Sequence, residues 1–351
     1  MKILLNGIGC PNTGARKVLE EILAAAPQGH TIVAILPLDK NYSYPNFNIK
    51  NNIKPIYFNH GIWGKYLRPI LELFIIMELL FKRYDVFINL SNYSFSFFKN
   101  QILYIHNRSL IDVQMQRGFG EGKPNIFIDV AFSLCLPNSK KIFVQSEHIK
   151  ELLLLYCEKK KIKLHSGVHV LKPKPRIALN CDNHYESDTG TFYFIYPTKS
   201  GYNYKNNDLA ISAVGKICEE MPSIKLKITL SSTCKQNGIE YLGYIGHDLL
   251  IEEMFRSSCL LFTSTNETLG LPLLEALYLE KPAVLPNLPY AKEIYDAAAV
   301  YFEPNNLGSL IESIKTMHNN YDYYKTLVKS KKKIEWNKRQ NWEQHWTHFL
   351  E

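Results

Sequence analysis

The sequence predicts an α/β protein made of two doubly wound domains in tandem. Short apolar runs rich in β-branched and aromatic residues alternate with segments of helical period, the pattern of parallel strands covered by helices. The alternation stops over a polar stretch at 172–190 and then resumes. A chain of 351 residues is also long enough to bury two cores of ordinary size.

The first set of expected strands is KILLN (2–6), TIVAIL (31–36), KPIYF (54–58), DVFIN (85–89), ILYIH (102–106) and KIFVQ (141–145). Helical patterns fall between them, as in ARKVLEEILAAA (15–26). The segment ILELFIIMELLF (70–81) is too short to span a bilayer and is interrupted by Glu72 and Glu78. It reads either as a core-packed helix or as an amphipathic helix resting on a membrane. Residues 172–190 (KPKPRIALNCDNHYESDTG) follow neither period and have the composition of a linker.

The second set of strands is TFYFIYP (191–197), IKLKITL (224–230), CLLFTS (259–264), PAVL (282–285) and AVYF (299–302). NDLAISAVGKICEEM and PLLEALYLE are helical patterns between them. The Trp-rich WNKRQNWEQHWTHFL (336–350) reads as a last helix, either packed across both domains or belonging to the second. The expected layout is a domain at 1–172, a linker at 173–190, a domain at 191–335 and a closing helix at 336–351. Two such domains are expected to face each other across a cleft.

Composition narrows the classes. With 46% hydrophobic and 21% charged residues, the chain is that of a folded protein. The net charge of +8 suits anionic partners such as phosphorylated small molecules or an anionic membrane surface. The basic residues are scattered, and the run Lys159, Lys160, Lys161, Lys163 reads as a solvated helix end, so no nucleic acid is expected. The seven cysteines are dispersed without a Cys-x-x-Cys pair, which argues against a disulfide framework and against a zinc site. The start, MKILLNGIGCPNTG, reads as a buried strand rather than a signal peptide, and a cytoplasmic protein is expected.

The chemistry concentrates in TSTNETLGLPLLEALYLEKPAVLPNLPYAKEI (263–294). A strand ends there in a polar loop carrying Glu267. Gly270 permits close backbone approach, and Pro272 suits the first position of a helix. Amides at Gly270 and Leu271 would then form an anion site at a helix N-terminus. Glu275, expected in the first turn, can accept hydrogen bonds from a vicinal diol such as a ribose. Phosphate donors and diol acceptors in one loop meet the needs of a nucleotide sugar, although paired glutamates at that distance are also common on surface helices.

The stretch resembles the Glu-x7-Glu motif of retaining GT-B glycosyltransferases, family 4. Glu267-Thr268-Leu269-Gly270-Leu271-Pro272-Leu273-Leu274-Glu275-Ala276 follows the pattern, with Leu269 in place of the usual Phe. The similarity continues through Lys281-Pro282, Pro289 to Glu293 and Tyr301-Phe302-Glu303-Pro304. The resemblance implies two Rossmann-like domains and a donor site without metal. It assigns the ribose hydroxyls to Glu275, the donor sugar to Glu267, and the diphosphate or sugar to the backbone from Thr268 and Leu269 to Gly270 and Leu271. Ile239 to Tyr244 resembles the strand and turn beside the base, which puts Gly243 and Tyr244 there. Tyr196-Pro197 followed by Tyr204-Lys205-Asn206-Asn207 resembles the strand end and the lysine that grips the donor phosphates. The arginine that commonly precedes that lysine is missing, and Lys199 is the available substitute, without the bidentate fork.

In the first half, Gly7-Ile8-Gly9 and Gly14 resemble the Gly-rich turn that approaches donor phosphate and acceptor, although many parallel-sheet proteins start this way. His106 resembles the active-site histidine of the first domain; a strand-end histidine satisfied by backbone is the plainer alternative. The expected activity is transfer of a sugar from a UDP- or GDP-sugar to a saccharide acceptor, lipid-linked as in bacterial surface polysaccharide assembly, with retention of configuration and no cofactor. A non-catalytic scaffold is one alternative. An NAD-dependent oxidoreductase is another, but in Gly-x-Gly-Cys-Pro-Asn-Thr-Gly the third glycine is late and a proline intrudes.

Overall fold

The computed structural model describes residues 1–10, 13–38, 44, 52–59, 74–75, 77–79, 81–91, 98, 100–106, 108, 111, 126–175, 177, 190–232 and 235–351. The chain divides into two compact units, Met1–Lys174 with Arg339–Glu351, and Pro175–Lys338. Most of the expected linker, 178–189, lies outside the described residues.

The first unit is a seven-stranded sheet in the order β3-β2-β1-β4-β5-β6-β7. Its strands are β1 (Lys2–Asn6), β2 (Thr31–Leu38), β3 (Ile53–Asn59), β4 (Val86–Asn89), β5 (Gln101–Ile105), β6 (Lys141–Val144) and β7 (Val168–Val170). Every pairing is parallel, and β1, β4 and β5 are almost wholly buried, which explains their unbroken apolar runs. Among the described residues this unit also holds α1 (Thr13–Ala24), α2 (Ile126–Cys135) and α3 (Glu147–Lys160). Ser146 caps α3 by accepting from the Ile149 amide at 3.3 Å. Within 70–81 the described residues 74, 75, 77–79 and 81 are helical. Ile75 and Leu79 enter the core, Glu78 is buried and accepts from the Tyr84 hydroxyl at 2.9 Å, and Met77 and Phe81 are exposed. β7, only three residues long, was too short to show a period in the sequence.

The second unit holds a six-stranded parallel sheet in the order β10-β9-β8-β11-β12-β13. Its strands are β8 (Phe192–Tyr196), β9 (Ile224–Ile228), β10 (Ile239–Tyr241), β11 (Cys259–Leu261), β12 (Ala283–Pro286) and β13 (Ala299–Phe302). Its helices are α4 (Asn207–Glu220), α5 (His247–Arg256), α6 (Leu271–Tyr278), α7 (Pro289–Tyr295), α8 (Leu307–Asn319) and α9 (Tyr321–Asn337). In both sheets the strand order reverses direction beside the first strand, so the loops after β1 and β8 open at a topological switch point.

The chain then returns to the first unit with α10 (Trp342–Leu350). Asn341 and Gln344 form a reciprocal capping box that starts this helix. The Trp342 indole N–H donates to Glu21, and that of Trp346 donates to the Ile22 carbonyl at 2.7 Å, fixing α10 on α1.

Candidate active site

The residues singled out in the sequence fall into two clusters, one in each unit. In the second unit the strand end after β11 organises the cluster. Thr263 is fully buried, and its hydroxyl donates to the carbonyls of Lys205 at 2.9 Å and Asn206 at 3.0 Å. The Tyr196 hydroxyl also donates to the Lys205 carbonyl, and the Thr265 amide to the Tyr204 carbonyl at 2.8 Å. These bonds clamp the 3-10 turn Asn203–Lys205 against the loop that carries Glu267. Lys205 Nζ then lies 2.5 Å from Glu267 Oε1, with both side chains about as buried. The ammonium also sits 5.3 Å from the Tyr204 ring centroid and 5.4 Å from that of Phe262. The structure thus brings together two residues 62 positions apart in sequence.

α6 begins where Gly270 takes φ 63°, ψ 58°, a left-handed conformation that glycine adopts without strain. Pro272 is the second helical residue rather than the first, because Gly270 caps the helix one position earlier than its proline suggests. The amides of Gly270 and Leu271 have no carbonyl of the preceding turn to bond. Glu275 is therefore the fifth residue of α6 and outside the first turn, where the dipole acts most strongly. What meets its carboxylate is a histidine: His247 Nε2 stands 2.8 Å from Glu275 Oε1. Sequence reasoning missed His247, since a histidine opening a polar helix after Gly246 carries no motif.

The remaining positions are distributed unevenly. The Leu269 side chain is packed into the core of the unit, so only its backbone is free for another role. Thr268 and Leu271 are half-buried on the loop and helix start. Lys199 is exposed, with its carbonyl accepting from Asn207 at 3.3 Å. Gly243 has φ 68°, and Tyr244 beyond it is 81% exposed.

In the first unit, Gly9 follows β1 so closely against β4 that a Cβ there would meet Ser91 Cα at 2.6 Å. The Gly9 amide donates to the Ser91 hydroxyl at 2.9 Å. His106 comes directly after β5, its Nε2 3.8 Å from Cys10 Sγ. Burial lowers the His106 pKa to about 4 against the opposing pull of the Gly9 backbone, and burial pushes the Cys10 thiol up. At neutral pH both are uncharged. Among the described residues no group of three or more His, Cys, Asp and Glu is arranged to hold a metal.

Residues 185–334 match the family described as glycosyl transferases group 1. The match takes in every strand of the second unit. A segment of 75 residues is 35% identical to the serotype-specific mannosyltransferase WbdA of Escherichia coli. It covers 20% of this chain, and the match spans only 9% of WbdA's length. Among solved structures, Anabaena HepE in complex with UDP and glucose has a TM-score of 0.70 at 14% identity, covering 100% of this chain and 99% of its own. WaaG, a glycosyltransferase involved in lipopolysaccharide biosynthesis, has a TM-score of 0.68 at 14% identity, covering 95% and 94%. At such identities the likeness shows the fold, which is the GT-B fold of two Rossmann-like units.

Proposed function

We propose that this protein is a retaining glycosyltransferase that moves a sugar from a nucleotide diphosphate sugar to a saccharide acceptor. The observation that carries the reading is the Lys205–Glu267 pair, built beside the start of α6 in the stretch that matches group 1 glycosyl transferases. Lys205 supplies the fixed positive charge for a departing diphosphate, with the first amides of α6 as further donors, and no metal is required. Glu267 holds Lys205 in place and contacts the donor sugar. Glu275 receives the ribose hydroxyls. His106, uncharged at neutral pH, serves with Gly9 as a hydrogen-bonding partner for the transferred sugar. No side chain forms a stable covalent intermediate, and the leaving diphosphate deprotonates the acceptor hydroxyl on the face it leaves.

HepE has been crystallised with UDP, with UDP and glucose, and with UDP-glucose, which supports a nucleotide sugar as donor here, UDP- or GDP-linked. The likeness to a serotype-specific mannosyltransferase and to a glycosyltransferase of lipopolysaccharide biosynthesis supports a surface-polysaccharide or lipopolysaccharide acceptor. On this proposal the acceptor is lipid-linked and met at the cytoplasmic face of a membrane. A net charge of +8 suits a peripheral contact with anionic lipid. Among the described residues no helix is long and apolar enough to cross a membrane.

Thermal shift against UDP, GDP, UDP-sugars, GDP-mannose and NAD tests the reading, because a ligand that binds only the folded state raises the melting temperature. The expected result is a shift with one nucleoside diphosphate that disappears in Glu275→Ala. In a transfer assay Lys205→Ala is expected to lower turnover by about a hundredfold, the typical cost of removing one charge-stabilising donor. A shift with NAD alone, or unchanged kinetics in both folded variants, overturns the proposal.

A further inference from the structure

We propose that His247 is a positioning residue that fixes the Glu275 carboxylate for the donor's ribose. The inference rests on the reading of Glu275 as the ribose acceptor, and goes beyond it by naming the group that orients it.

Glu275 is 5% exposed, and a carboxylate so buried needs a hydrogen bond to be satisfied and held in one orientation. Its backbone carbonyl is taken by the Leu279 amide at 3.0 Å. Its side chain has one hydrogen-bond partner among the described residues, His247 Nε2, which reaches Oε1 and leaves Oε2 open. His247 is itself placed by the extended Gly246 (φ −64°, ψ 159°) at the start of α5, so the imidazole is anchored to a helix end rather than a free loop. The other ring nitrogen, Nδ1, is 3.9 Å from Asp248 Oδ1, beyond hydrogen-bonding distance, and Asp248 is almost fully exposed. Glu275 is thus the acceptor that keeps a proton on Nε2, in the neutral ring as in the imidazolium. One oxygen is held by the ring, and the second, with the remaining lone pair of the first, faces the task of receiving a diol. A carboxylate without this anchor rotates, and each bound ribose must then stop that rotation.

The test is a double-mutant cycle read by titration calorimetry, with UDP and GDP each as probe, on the full chain carrying His247→Ala, His247→Gln, Glu275→Ala or His247→Ala with Glu275→Ala. Loss of one hydrogen bond to a charged group predicts about tenfold weaker nucleotide binding in His247→Ala. His247→Gln, whose amide reaches a similar point as a donor, is expected to recover most of that loss. In the Glu275→Ala background the further change is expected to fall below about twofold, because the two residues act as one unit. The melting temperature of nucleotide-free His247→Ala should fall by a few degrees, because a buried carboxylate loses its partner, and should recover in His247→Gln. An equal loss in both backgrounds, or no loss in His247→Ala, overturns the proposal; if His247→Ala does not fold, failure of the folded His247→Gln to bind overturns it. Wild-type affinity in Glu275→Ala sinks instead the ribose reading beneath it.

Discussion

His106 and His345 are two buried imidazoles whose burial lowers their pKa to about 4, desolvation being the main cause in each. His345 is fully buried beside the Trp342 ring, its ring centroid 4.7 Å away, and among the described residues neither ring nitrogen has a hydrogen-bond partner. The folded state therefore binds fewer protons than the unfolded chain between pH 4 and the ordinary histidine value of 6.5. Stability from this source is complete above that upper value and is lost as pH falls toward the lower one. Each histidine contributes a loss of about 2 kcal/mol between pH 7 and 5 by proton linkage. Urea unfolding across that range measures the slope. Replacing His345 by Leu should flatten it by about half while leaving the His106 share intact.

α10 shows how one short helix completes a core laid down by residues far away in sequence. Trp342, Trp346 and Phe349 are nearly fully buried against α1 and the sheet, with Phe349 lying 5.5 Å from the Phe143 ring centroid. The two indole N–H groups are both satisfied on α1, so each ring buries its surface without leaving a donor stranded. Trp346→Ala removes this packing and its hydrogen bond together. The expected cost is about 3–5 kcal/mol, read as a fall in denaturant midpoint with the slope unchanged.

For the whole molecule, the division into two units makes a further expectation. Residues 339–351 belong to the first unit, although Lys205, Glu267 and Glu275, the residues of the proposed donor site, all lie in the second. Truncation after Lys338 should expose the apolar surface that Trp342, Trp346 and Phe349 cover in the first unit and lower its melting transition. Nucleoside diphosphate binding, read by calorimetry, should persist in the second unit. Loss of binding together with that transition would mean that the donor site depends on the first unit's core.

The sequence by itself determined the fold class, because parallel strands buried on both faces have to be continuous apolar runs, as in KILLN and CLLF. It also marked the loop at 263–275, where a glycine, a proline and two glutamates each leave a local signal. Short edge strands such as β7 escaped it, since three residues cannot establish a period. Tertiary structure alone decided what meets each charge. Lys205 finds Glu267 only because Thr263 and Thr265 tie two distant loops together, and Glu275 finds His247 only because α5 and α6 pack side by side. It also withdrew the Leu269 side chain into the core and gave α10 to the first unit. Local propensity is written along the chain, whereas the partner of a buried charge is chosen by whichever group the packing brings within hydrogen-bonding distance.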